Sequence, residues 1–203
     1  MLKKIKFAVI IALSALFIFA AASCSSQAAV EVDQSITPHQ AALKAMAELG
    51  YTENDLAEVS GTDETEKQKI LEYYSEGSEG YAFDGTLFDI MLGSSSGGSV
   101  TLDMLEQYSY VKFDKDLPAP FALVIFKLPK TDGKVDSQLV SNVKKMFNNI
   151  LSQYKTTFQN YPRDIMGYLD NVEIKQTDNF IYYCIAENSS KVMKVITNFL
   201  KDE

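Results

Sequence analysis

The chain contains no tryptophan and very little histidine or arginine. Its 203 residues include one histidine, His39, and one arginine, Arg163. Histidine-based catalytic triads and multi-histidine metal sites are therefore not expected, and there is no set of arginines to bind phosphates or carboxylates in bidentate fashion. Because His39 falls in the first turn of a predicted helix, we expect a solvated histidine there and not a catalytic base.

Basic residues are also in the minority. Lysine and arginine together number 19 against 27 aspartates and glutamates, which gives a formal net charge of −8. Nucleic-acid binding depends on basic groups that neutralise phosphates, so the composition predicts no nucleic-acid partner. It argues equally against a purely electrostatic attachment to anionic lipid.

The first 23 residues have the pattern of an export signal. Three lysines, Lys3, Lys4 and Lys6, precede an apolar segment at 7–22 in which Ser14 is the one polar residue. The segment is shorter than the roughly 20 apolar residues that a membrane-spanning helix needs. A basic start followed by a small-residue exit is typical of a cleaved signal peptide, so we expect residues 1–23 to be absent from the mature protein.

The signal ends in Ala21-Ala22-Ser23-Cys24, which resembles the lipobox of bacterial lipoproteins. The resemblance implies that the Cys24 thiol receives a diacylglyceryl group and that cleavage before Cys24 leaves a protein anchored by palmitate-like chains, facing outward from the cell membrane. Two acyl chains hold a protein stably at a membrane. Ala20-Ala21-Ala22 also offers an ordinary A-x-A cleavage site, so secretion without lipid, or an uncleaved anchor, remains the alternative.

The mature chain would carry more negative charge and one free cysteine. Loss of the three signal lysines leaves 16 basic and 27 acidic residues, a net charge of −11. With Cys24 bound to lipid, Cys184 has no partner for an internal disulfide. Cys184 lies in the apolar run FIYYCIA at 180–186, which reads as a strand, so we expect it to pack in the core as a small hydrophobe.

The mature sequence divides into three stretches. Residues 24–36 are small and polar and predict a flexible tether, residues 37–99 an acidic helical region with a linker, and residues 100–203 an α+β domain. Thr37, Pro38 and Gln40 have the spacing of a capped helix start, and Gly50 that of its end. Further helices are predicted at 52–59 and 63–74, and the Gly/Ser-rich stretch 93–99, which lacks the Lys-Ser/Thr ending of a phosphate-binding loop, is predicted to be a flexible linker.

The second half has the clearer periodicity. Six consecutive apolar residues at 121–126 predict a strand buried on both faces. Apolar positions recur every three or four residues from 135 to 158, which predicts one long helix. Residues 172–176 and 180–186 predict a hairpin turning at Asp178-Asn179, followed by a last helix. The fold expected is α+β: an antiparallel or mixed sheet of three to five strands, with the long and C-terminal helices on one face, preceded by short helices.

The strand FALVIFK at 121–127, the helix end YKTTFQNY at 154–161 and the hairpin VEIKQTDNFIYYCIAEN at 172–188 resemble a bacterial lipoprotein family. That family carries a domain of unknown function and occurs in low-GC Gram-positive bacteria. The resemblance covers roughly residues 102–200. Because the family has no established activity, it implies no catalytic residue for this chain.

Candidate functional residues are few. Acidic residues at 53–66 lack the spacing of an EF-hand, so no metal or other cofactor is expected. Tyrosine suits binding surfaces, and Tyr161, Tyr168 and Tyr182 are the candidate surface. We therefore expect a non-enzymatic binding module on the outer face of the membrane, for an envelope protein, peptide or glycan. The alternatives are an envelope hydrolase with paired carboxylates and an assembly subunit of an envelope complex.

Overall fold

The computed structural model describes residues 32–52, 54–55, 70–76, 82–113, 122–160 and 163–201. The signal segment, the lipobox with Cys24, and most of the helix expected at 52–59 lie outside the described residues. Residues Glu31–Glu203 form one compact unit.

A five-stranded antiparallel sheet forms the centre of the fold. Its strands, in their order across the sheet, are β1 (Ile70–Ser75), β2 (Gln107–Phe113), β3 (Ala122–Lys127), β7 (Phe180–Ile185) and β6 (Lys175–Thr177). A separate two-stranded hairpin joins β4 (Lys130–Thr131) to β5 (Lys134–Val135). β3 is the middle strand and is buried along its whole length, which confirms the interpretation of its apolar run.

Five helices accompany the sheet in the described residues. They are α1 (Pro38–Glu48), α2 (Gly85–Met91), α3 (Ser137–Thr157), α4 (Arg163–Asp170) and α5 (Ser189–Leu200), with 3-10 turns at Gly93–Ser96 and Leu102–Met104. The α+β class, the long helix, the C-terminal helix and the hairpin at Asp178 are confirmed. Within the part of the chain that the structure describes, no helix is both long enough and apolar enough to cross a membrane.

The placement of the helices differs from the prediction of a single helical face. Val143, Phe147 and Ile150 of α3 pack with Phe126 on one face of the sheet. α5 and α1 pack on the opposite face, where their apolar side chains join Val111, Leu123, Ile125 and Cys184. Successive residues of a strand point to opposite faces, and the consecutive apolar residues at 122–126 in β3 and along β7 need a helical layer on each side. The prediction of one helical face was therefore wrong.

The predicted boundary near residue 99 does not divide the fold. β1 overlaps the end of the stretch predicted to be helical at 63–74, and it pairs with β2, with Tyr73 opposite Val111 and Tyr74 opposite Tyr110. The supposed linker is ordered too: its 3-10 turn packs on α3, where Asn149 Nδ2 donates a hydrogen bond to the Ser95 carbonyl oxygen (2.8 Å). Pairing with a distant strand, which local sequence does not encode, overrode the helical pattern.

The last part of the predicted tether is also packed. Val32 and Ile36 are buried in the core that α1 and α5 cover. The Lys127 ammonium, whose side chain is 4% exposed, donates to the Gln34 carbonyl oxygen at 2.7 Å and pairs with Glu106 at 2.9 Å. Backbone and ammonium groups thus hold residues 32–36 on the sheet, and the flexible stretch predicted at 24–36 does not extend to residue 36.

Candidate binding pocket

The three tyrosines that were predicted to form a binding surface, Tyr161, Tyr168 and Tyr182, do not form one together. Tyr182 is fully buried, because both faces of β7 are covered by helices. Its hydroxyl shares hydrogen bonds with the hydroxyls of Thr177 (2.9 Å) and Thr197 (2.7 Å), and burial raises its pKa. Tyr182 therefore cannot form a binding surface, and Tyr161 lies outside the described residues. Tyr168 is half-buried and lines a pocket.

That pocket, of about 250 Å³, lies at one end of the sheet. Its lining residues come from four places in the chain: Glu48, Leu49 and Tyr51 at and just after the end of α1, Phe113 at the end of β2, Tyr168 on α4, and Ala186, Glu187 and Asn188 between β7 and α5. Three of them carry aromatic rings. We call this group the Tyr51–Tyr168 pocket.

The end of α1 places Tyr51 in this pocket. Gly50 has a φ of +83°, a conformation that glycine adopts readily. The Gly50 amide donates to the Ala47 carbonyl oxygen (3.1 Å) and the Tyr51 amide to the Met46 carbonyl oxygen (3.0 Å), which is the Schellman pattern of a helix end. The chain therefore reverses at Gly50, as the sequence predicted, and directs Tyr51 back to the sheet.

Tyr51 then stacks on Phe113. The ring centroids are 4.9 Å apart and the ring planes are inclined by 22°. Phe113 is buried at 2% exposure, whereas Tyr51 and Tyr168 are half-buried. The stacked pair forms an apolar wall, and Tyr168 contributes a third ring that packs against the core beside both helical layers.

Among the described residues that line the pocket, the charged side chains are those of Glu48 and Glu187. Glu48 forms an ion pair with Lys191 of α5. Glu187 is exposed, and it makes no ion pair within the described residues. Two helix ends also meet here, the C-terminal end of α1 and the N-terminal end of α5, whose partial charges have opposite signs. Because those contributions oppose each other, the Glu187 carboxylate is the main unpaired charge among the described residues of the pocket.

A second depression, of about 520 Å³, is acidic. It is lined in part by Glu76, Asp89, Asp103 and Glu106. All four are exposed, and Glu106 is paired with Lys127. No group of three or more metal-ligating side chains is found in the described part of the chain. This depression therefore has neither a desolvated acid nor a coordination set.

A third, wide depression of about 610 Å³ lies at the start of α3 and is lined by Met104, Leu139, Asn142 and seven other side chains, none of them aromatic. It adjoins the β4–β5 hairpin, whose turn residues Asp132 and Gly133 both have positive φ. Polar side chains line this depression, but none of its lining residues is buried. The depression therefore has no desolvated polar group that would select a particular ligand.

The cysteine and the histidine of the described residues, Cys184 and His39, both have structural roles. Cys184 is 1% exposed, and burial raises the pKa of its thiol to about 12, so the reactive thiolate is not formed at neutral pH. His39 is half-buried, and its Nδ1 bonds the Tyr73 hydroxyl. The expectation of a solvated His39 was therefore wrong, since the ring ties α1 to β1.

Sequence reasoning missed Tyr51, Phe113 and Glu187. One signal pointed to Tyr51, because an apolar residue directly after a helix-ending glycine commonly packs back on its helix. Phe113 and Glu187 carry no local signal. They meet because β2 and β7 both flank β3, with Lys112 and Ile185 opposite Ala122.

No protein-family model, curated protein or solved structure matches this chain. The resemblance to a Gram-positive lipoprotein family therefore stays a prediction from the sequence.

Proposed function

We propose that this protein is a lipid-anchored binding module on the outer face of the cell membrane, whose Tyr51–Tyr168 pocket holds one side chain of an envelope peptide or protein. The observation that carries the proposal is the position of the pocket. It lies at the end of the sheet marked by Phe113 and Ala186, whereas the N-terminal segment is bound at the other end, by Lys127.

The described chain therefore enters the fold at the end of the sheet opposite the pocket. Seven residues lie between Cys24 and Val32, so the eight peptide links that join the two residues span at most about 28 Å. Gln34 is fixed beside Lys127, and six residues of β3, about 17 Å from first to last, separate that end of the sheet from the pocket end. Because the chain enters the fold at the Lys127 end, attachment through Cys24 leaves the pocket end available to a partner in the envelope.

The size of the pocket favours a single side chain. Small-molecule sites usually enclose roughly 300–1,000 Å³, and this pocket encloses about 250 Å³. An apolar wall with a polar rim suits one anchor residue of a larger partner. A glycan chain would need a longer groove, so a peptide or protein is the partner that the geometry favours.

A hydrolase finds less support in the described residues. Paired-carboxylate chemistry needs a general acid kept protonated by its surroundings. The four carboxylates around the acidic depression are all exposed to water, so none has the environment that this role requires.

The location is tested by replacing Cys24. Cells expressing the natural chain should incorporate labelled palmitate into the protein and retain it in the membrane fraction. Cys24→Ala should abolish labelling and should release the protein from the membrane fraction. Cys184→Ala, the matched control, should change neither the labelling nor the membrane retention. Equal labelling of the Cys24→Ala variant would contradict the anchor.

The pocket is tested by nuclear magnetic resonance with a set of N-acetyl amino-acid methylamides. At least one should bind saturably and shift signals of Tyr51, Tyr168 and Glu187. Tyr168→Ala should abolish those shifts. The control is Tyr74→Ala, which removes another half-buried tyrosine that is remote from the pocket. The ring of Tyr74 stacks on Phe83, with the two ring centroids 4.4 Å apart. Absence of binding by every compound would overturn the proposed site.

A further inference from the structure

We infer that the Tyr51–Tyr168 pocket selects a protonated amine on an apolar stem, the chemistry of a lysine side chain. The inference rests on the proposed function and adds the chemical class of the ligand. It follows from three features of the pocket: its aromatic walls, its charged rim and its size.

The walls suit a cation as well as an apolar stem. The stacked rings of Tyr51 and Phe113 and the ring of Tyr168 present aromatic surface to the pocket. The face of an aromatic ring attracts ammonium groups, and tyrosine does so well. The methylene stem of a lysine covers apolar surface while its ammonium stays near water.

The rim supplies the matching charge. Both charged residues of the lining are glutamates, and no lysine or arginine lines the pocket in the described structure. Glu48 already holds the ammonium of Lys191, whose side chain is 68% exposed. That contact is an example, within the chain, of a lysine ammonium at this rim. The Glu187 carboxylate is exposed and remains to receive the ammonium of a ligand.

An anionic ligand is the competing possibility, since α5 begins at Ser189 beside the pocket and a helix N-terminus attracts anions. The C-terminal end of α1 opposes that attraction, because it ends at Glu48 and carries the opposite partial charge. A ligand carboxylate would also meet the full charge of Glu187. The balance of charge therefore favours a cation.

The test compares N-acetyl-lysine methylamide with N-acetyl-norleucine methylamide, a neutral analogue that keeps the four-carbon stem and lacks the ammonium group, by chemical-shift titration of the protein purified from expressing cells. The lysine compound should bind at least about fivefold more tightly. Because the rim is exposed, added salt should weaken its binding and leave the norleucine compound unaffected.

Two variants sharpen the test. Glu187→Gln should bring the two dissociation constants close together, whereas Glu173→Gln removes an exposed charge outside the pocket and should preserve the ratio. Lys191→Met frees Glu48 and should tighten binding of the lysine compound alone. Its control is Lys194→Met, on the same helix.

The outcomes separate the inference from the function it rests on. Equal binding of both compounds in the pocket would overturn the selection of a cation and leave the binding site standing. Tighter binding of N-acetyl-aspartate methylamide would likewise overturn it in favour of an anion. No shifts in the pocket with any of the three would overturn the proposed site itself.

Discussion

The ring of Tyr51 stacks on Phe113, with centroids 4.9 Å apart. The two residues belong to different layers, one after helix α1 and the other at the end of strand β2. Their contact joins the α1 layer to the sheet and makes the wall of the Tyr51–Tyr168 pocket.

Removal of the Tyr51 ring should therefore affect stability and binding together. A stacked aromatic pair contributes about 0.5–1.5 kcal/mol beyond its buried area, so Tyr51→Ala should lower the free energy of unfolding by about 2 kcal/mol once the lost apolar burial is added. Urea denaturation measures the change. Tyr51→Phe keeps the ring and should retain most of the stability. If both variants were equally destabilised, the ring contact would not be the cause.

Lys127 should be more important for stability than a lysine on the neighbouring strand. Lys127→Met leaves the Gln34 carbonyl oxygen without its 2.7 Å donor and should cost about 1.5–3 kcal/mol. Lys112→Met breaks the pair with Glu72, whose side chains are 34% and 29% exposed, and should cost less than about 1 kcal/mol. Hydrogen exchange at residues 32–36 should accelerate in the Lys127 variant only. Similar exchange in both would show that Lys127 does not hold the N-terminal segment.

Tyr182 and Tyr183 should respond differently to loss of the hydroxyl group. The Tyr182 hydroxyl joins β6 to α5 through Thr177 and Thr197, so Tyr182→Phe should cost about 1–2 kcal/mol. The Tyr183 hydroxyl is buried and has no hydrogen-bond partner among the described residues. Tyr183→Phe should therefore change stability by less than about 0.5 kcal/mol, or increase it. The urea midpoints of the two variants check this, and a larger loss for Tyr183→Phe would contradict the bonding described.

Cys184 should make the fold sensitive to alkali. Its pKa is raised by burial from 9.0 to about 12, so above pH 9 the unfolded chain loses a proton that the folded chain retains. The stabilisation is complete below pH 9 and is lost as pH rises toward 12; between pH 8 and pH 10 the loss is about 1.4 kcal/mol.

The comparison that isolates this effect uses Cys184→Ala, whose stability should fall less over the same pH interval. Buried tyrosines with raised pKa, such as Tyr110, contribute equally to both proteins above pH 10. Identical pH dependence of the two proteins, or rapid alkylation of native Cys184 by iodoacetamide at pH 7, would contradict a thiol with this environment.

Local signals explain how much of the fold was predictable. The capping box formed by Thr37 and Gln40 and the glycine at 50 define α1 within the residues they adjoin, and the apolar period of α3 marks its buried side. The turn at Asp178, with φ +51°, identifies the β6–β7 hairpin. In each case the information lies within a few residues of the element.

Features that depend on distant contacts were not predictable. β1 becomes a strand because it pairs with β2, more than 30 residues later. The apolar period of α5 shows which side of the helix is buried but not which face of the sheet it covers. The pocket brings together Tyr51, Phe113 and Tyr168, which are far apart in sequence, so its rings could not be grouped before the strand order was known.

A nuclear Overhauser measurement on the complex with N-acetyl-lysine methylamide tests the binding site and the ligand class together. We expect contacts between the ε-methylene protons of the ligand and the ring protons of Tyr51 and Tyr168, and their loss in Tyr168→Ala. Contacts to residues at the other end of the sheet, such as Met104 or Leu139, with none to Tyr51 or Tyr168, would show that the lysine side chain does not bind in this pocket.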